Sequence, residues 1–124
     1  MPYPLEEKYI IKTEEKLGAK FPNEYRNKMM ASNGGEIEAD DDDWQLNPIF
    51  DDSDKKRLSR TCNDIIRETS QAREWPDFPS NAVSIAQNGC GDHIVLLINK
   101  NAVSDKFYTW YHDDPQLVEV ELDW

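Results

Sequence analysis

Cys90 and His93 lie three residues apart in the stretch Asn88-Gly89-Cys90-Gly91-Asp92-His93, and a thiol beside an imidazole is the minimum equipment of a nucleophilic site. Such a pair needs a fixed geometry and a third group to orient the base, and the spacing supplies neither. Asn88, Gly89 and Gly91 reach positive φ at least cost, and apolar stretches flank them on both sides. A hairpin connection accounts for the segment without catalysis. The other histidine, His112, stands far from His93 in the chain and no His-x-x-x-His spacing occurs, so zinc is not expected. Four consecutive aspartates, Asp40 to Asp43, lack the alternating ligands and central glycine of a calcium loop. No metal, no cofactor and no catalytic residue is expected, and the chain is read as a non-enzyme.

The acidic residues are better suited to docking. Of 124 residues, 25 are Asp or Glu and 14 are Lys or Arg, for a net charge of -11. Residues 36–54 hold nine acids and residues 111–124 hold five, with no Lys or Arg in either segment. The rest of the chain is slightly basic. A strongly acidic protein lacks the positive face that phosphate binding needs, so no direct nucleic-acid contact is expected. A negative surface instead attracts a basic protein, and Trp44 after the aspartate run offers an aromatic anchor. The candidate partner-binding residues are Asp40, Asp41, Asp42, Asp43, Trp44, Asp51, Asp52, Asp113, Asp114, Glu119 and Glu121.

Helices and strands must position these groups. Leu5, Tyr9, Ile10, Thr13 and Leu17 recur at three and four, which predicts a helix over 5–17 that stops at Gly18. Pro22 opens a second helix that leaves through Asn33-Gly34-Gly35. Trp44 to Leu46 reads as a strand ending at Pro48. Ser53 or Asp54 caps a third helix with Leu58, Cys62, Ile65, Ile66 and Thr69 on its apolar face. Beyond Trp75-Pro76 the period changes to two, and 82–86, 93–98, 106–111 and 117–122 read as strands separated by turn residues. In the last of them Val118, Val120 and Leu122 are expected on one side, with Glu119, Glu121 and Asp123 forming a negative row on the other. Short connections favour antiparallel neighbours, so the fold class is α+β, a mainly antiparallel sheet with helices packed on it, and residues 1–124 form a single domain. No run reaches the ~20 apolar residues of a bilayer span and the N-terminus has no signal-peptide pattern, so a cytoplasmic protein without membrane contact is expected, with Cys62 and Cys90 reduced.

In this order, the Leu17-Gly18 stop, the Phe21-Pro22-Asn23-Glu24-Tyr25 segment, Asn33-Gly34-Gly35, Trp44-x-Leu46, Trp75-Pro76, the hairpin at 85–98 and Phe107 to Asp114 resemble the SUKH superfamily, also called the Smi/Knr type. The resemblance spans roughly residues 5–114. It implies an α+β fold without an enzyme active site. Many bacterial members are immunity proteins that neutralise a cognate polymorphic toxin, often a nuclease, and fungal relatives act in signalling and cell-wall regulation. The implied function is an immunity protein that occludes a basic nuclease domain through its acidic surface; the alternative is an adaptor or regulatory scaffold. A C-terminal helix that the resemblance also implies has no counterpart before Trp124, so either that helix is dispensable here or the sheet edge it would cover is exposed, which would favour a partner or a dimer.

Overall fold

The computed structural model describes residues 3–100 and 102–122. Helix α1, Glu7–Leu17, ends where Gly18 enters the left-handed region at φ 76 and donates its N–H back to Glu14. The Glu14 carboxylate is buried beneath this turn, accepts the N–H of Phe21 at 2.7 Å and pairs with Arg26 at 3.5 Å. A polar clamp thus sets how α2, Asn23–Ala31, returns along α1. Pro22 stands at the N-cap of α2, and the rings of Phe21 and Tyr25 stack 4.7 Å apart over its first turn. Tyr9, Ile10, Tyr25 and Met29 point into the core, as the helical period requires.

The chain then forms an element that periodicity did not expose. Strand β1, Gly35–Ala39, pairs with β2, Asp42–Leu46, in an antiparallel hairpin of register Ala39 with Asp42. Only Asp40 and Asp41 lie in the turn, at φ 50 and 60, the two positive values that a twisted two-residue hairpin demands. The aspartate run is therefore half turn and half strand. Asn33, read as a helix exit, has a larger part: its amide donates to and accepts from the backbone of Ile49, both at 2.8 Å.

The third predicted helix is two. Helix α3, Lys55–Arg60, is capped by Asp54, and α4, Ile65–Ala72, by Asp64, whose carboxylate accepts from the N–H groups of Ile66 and Arg67. A second strong N-cap inside the segment restarts the helix in a new direction. Leu58 and Cys62 consequently do not join an apolar face; both are exposed, while Ile65, Thr69 and Ala72 are buried.

The remaining strands are β3, Ala82–Gln87; β4, His93–Asn99; β5, Ala102–Val103; β6, Phe107–Tyr111; and β7, Asp114–Val120. All pairings are antiparallel, in the order β1-β2-β3-β4-β6-β7, with β5 added beside the end of β4. The chain is α+β, as expected. Strand β7 starts at Asp114 where the sequence suggested Leu117, because the β6–β7 connection is as short as His112-Asp113. Val120 and Leu122 pack on the main core, yet Val118 is 56 % exposed. Asp123, expected in the negative row, lies outside the described residues.

Both faces of the central strands are covered. The larger core fills the inside of the sheet against α1 and α2, with Trp44, Ile85, Ile94 and Leu96 sealed from solvent. A smaller core on the opposite face joins Ala72 and Phe78 to Ala82, Val95 and Trp110. Thr69 ties α4 to this sheet by accepting the N–H of Ser84 at 3.0 Å, beside the bulge of β3. The sheet is also curled. Strands β2 and β6 stand three places apart, about 14 Å in a flat sheet, and yet the rings of Trp44 and Tyr111 lie 6.2 Å apart. Among the described residues no helix is long and apolar enough to cross a membrane.

Candidate docking surface

Curling brings three turns to one end of the sheet. The Tyr111 hydroxyl donates to Asp40 at the tip of the β1–β2 hairpin. Asn88 spans the next gap, its amide nitrogen donating to Asp42 at 3.2 Å and to Asp92 at 2.9 Å. Asp92 in turn accepts the backbone N–H of His112 at 3.0 Å and faces His112 Nδ1 at 2.7 Å. The indole of Trp75, half exposed, closes the series 5.8 Å from the His112 ring. Asn88 also accepts from the N–H groups of Cys90 and Asp92, so the Asn-Gly-Cys-Gly-Asp segment is a loop wound around one amide, with Gly89 and Gly91 at φ 83 and 92. A side chain at position 91 would be strained by the backbone at φ 92, although its Cβ would only touch the His112 ring, 3.4 Å from Nδ1.

The electrostatics follow from that crowding. Burial pushes the Asp92 carboxyl up, but the hydrogen bonds from Asn88 and His112 outweigh it and hold the group below the usual aspartate range. Tyr111 is raised above an ordinary phenol, first by burial and then by its bond to Asp40 and the charges of Asp40, Asp92 and Asp42. His93 differs from His112 in kind. It is 5 % exposed, its Nδ1 lies 2.7 Å from the Ser84 hydroxyl, and it packs against Phe78 and Trp110. Burial lowers it to about 4, against the opposing charge of Asp92. The imidazole is thus a weak base held in the interior with Nδ1 on Ser84, while the Cys90 thiol is exposed.

Asp92, His112 and Asp113 place one ligand atom each within 4.8 Å of one another. Asp92, however, already serves Asn88 and His112 with its two oxygens. The arrangement is a hydrogen-bonded brace between turns.

The acids expected to dock fall in four places besides the Asp40 turn tip. Asp41, Asp42 and Asp43 line one cleft of about 510 Å³ with Glu38, Ala39 and Glu121, so five of its six lining residues are carboxylates. Asp113 and Asp114 are exposed at the β6–β7 turn, Asp114 opposite Tyr111. Glu119 is exposed on β7 and pairs with Lys106 at 3.3 Å. Asp51 is 3 % exposed, accepts the N–H of Ser53 and lies 3.8 Å from Arg57, in a separate cleft with Pro4, Leu5 and Glu6. It is a structural carboxylate, and only its neighbour Asp52 reaches solvent. Trp44 likewise corrects the expectation of an anchor: it is 1 % exposed and donates its indole N–H to Ala39 at 2.9 Å. Alternation explains this, because Trp44 shares its strand face with buried Leu46 while Asp43 and Gln45 point the other way into solvent. Glu38 was not singled out by sequence and Asn88 was read only as a turn residue; Glu38 carries the signal of an exposed alternate position in Glu36-Ile37-Glu38-Ala39, whereas the Asn88 bridge has no local signature.

A family model described as SMI1 / KNR4 family (SUKH-1) matches residues 4–124. The chain belongs to this family. SUKH-1 proteins are generally associated with immunity to polymorphic toxins and are generally non-enzymatic. No curated protein and no solved structure matches this SUKH-1 chain.

Proposed function

We propose that this SUKH-1 protein binds and neutralises a cognate polymorphic toxin, and that the toxin is a basic nuclease domain occluded by the acidic end of the sheet. The observation that carries the reading is the cleft in which Glu38, Asp41, Asp42, Asp43 and Glu121 converge without a lysine or arginine among its lining residues. A nuclease needs a positive groove for phosphates, and a negative surface of fixed shape competes for that groove. Electrostatic steering raises association toward ~10⁸ to 10⁹ per molar per second at low salt. Asp40 and Asp42 are held by Tyr111 and Asn88, so the surface is braced before contact and loses little freedom on binding.

The test is affinity capture from a lysate of the source organism at low and moderate salt, followed by co-expression of the captured domain with this protein. The expected result is a toxic basic domain whose growth arrest is relieved by co-expression. Neutralising Glu38, Asp41, Asp43 and Glu121 together should slow association at least tenfold and flatten its salt dependence. Unchanged association in that variant, or capture of cytosolic proteins that arrest nothing, would overturn the reading.

A further inference from the structure

Strand β7 ends the sheet order and pairs with β6 on one side only. Alternate residues of such a strand direct their N–H and C=O groups away from the sheet, where they are a template for another extended chain. The Thr109 hydroxyl on β6 donates to the carbonyl of Val118 at 3.3 Å, so the backbone groups of Val118 face β6. The ladder is regular from Val118 to Val120 and shifts register before Val118, so strand geometry turns the backbone groups of Glu119 outward. Val118 adds an apolar side chain more exposed than the other large hydrophobics of the described residues.

Charge decides what such an edge accepts. Residues 114–122 hold Asp114, Glu119 and Glu121 and no Lys or Arg. A second copy laid antiparallel on β7 would set carboxylates against carboxylates, and like charges across a pair are unfavourable. A strand with alternating basic residues meets the opposite sign. Among the described residues Glu119 pairs with the cation of Lys106, in an exposed pair of the kind that contributes little and exchanges readily. The other outer strand, β1, also carries acids but has no exposed large apolar residue.

We infer that β7 receives an extended basic segment of the partner by strand addition, with Glu119 supplying main-chain hydrogen bonds, Val118 an apolar contact, and Glu119 and Glu121 the charges. This deepens the docking reading above and rests on it for the partner's basic character. Main-chain pairing gives the affinity in this mode and alternate side chains give the selectivity.

The probe is a ten-residue peptide of alternating lysine and valine, compared with the same peptide N-methylated along its pairing side. Amide exchange is read by NMR on the full chain. The Glu119 amide should exchange freely in the unbound protein and slow at least tenfold with the first peptide, and the N-methylated peptide should bind at least tenfold more weakly. Equal binding of both peptides, or protection confined to other strands, would overturn the inference. A Glu119→Pro variant deletes one outward N–H without removing a bond to β6, and it should weaken peptide binding beyond the charge loss of Glu119→Gln. Toxin neutralisation by Glu119→Pro equal to that of Glu119→Gln overturns strand addition and leaves the immunity reading standing. Peptide binding at β7 in a protein that relieves no toxin upholds strand addition and overturns the immunity reading.

Discussion

The hydroxyl of Tyr111 on β6 donates to the carboxylate of Asp40 in the β1–β2 turn, bridging strands that three intervals separate in the sheet. This bond closes the curl at its acidic end, and it explains why residues 71 positions apart share one surface. Removing it in Tyr111→Phe should cost about 1 kcal/mol, the scale of one partly exposed hydrogen bond to a charged acceptor. Urea unfolding of the variant checks this, and a midpoint equal to the parent's would show that the bond contributes nothing.

Asn88 should be less tolerant of change than its place in a loop suggests. Asn88→Asp converts a double donor into a third carboxylate facing Asp42 and Asp92. Expected destabilisation is about 1 to 3 kcal/mol near neutral pH, shrinking as the pH falls and one carboxyl takes a proton. Thermal unfolding at pH 7 and pH 4 measures both parts.

The turn itself is held against local preference. Asp40 and Asp41 occupy positive φ, where asparagine and glycine are cheaper, and each adds a charge to a crowded surface. Asp41→Gly should therefore stabilise the fold by about 0.5 to 1 kcal/mol while slowing association with the toxin. A variant that is both more stable and equally fast would separate Asp41 from docking.

His93 sets a pH limit on stability. Its folded value is lowered to about 4, from 6.5. Between those values the unfolded chain binds a proton that the native one refuses, so stability present at neutral pH is lost as pH falls from about 7 toward 4. The shift corresponds to about 3 kcal/mol. Asp92 has a lowered carboxyl, whose contribution is lost only below that window. Urea unfolding across pH 4 to 7 should show the steep loss in the parent and a flatter profile in His93→Gln.

Local pattern alone was enough for α1, α2 and the strands β3, β4 and β6, because amphipathic periods and turn residues act over a few neighbours; β5 falls in a segment read as a turn. The period of three and four placed Tyr9, Ile10 and Met29 inward, and Asn88-Gly89-Cys90-Gly91 marked its own turn. Membership of the SUKH superfamily was legible for the same reason, since it rests on the order of such local signals. Strand β1 and the division of the third helix were harder. The first is a short acidic strand with little apolar period, and the second depended on choosing Asp64 as a cap over a continuous apolar face.

The docking surface was legible only in part, since charge is counted along the chain but exposure is decided across it. Asp51 and Asp52 look alike in sequence, yet the α3 turn buries the first beside Arg57 and leaves the second in solvent. Trp44 follows four aspartates and still enters the core, because a strand must send alternate side chains to opposite faces. The sequence by itself determined the composition of the acidic surface and the family. Tertiary structure decided its membership: only the curl of the sheet brings Glu121 beside Asp41 and Tyr111 to Asp40, and curl is a property of long-range pairing that no local segment encodes.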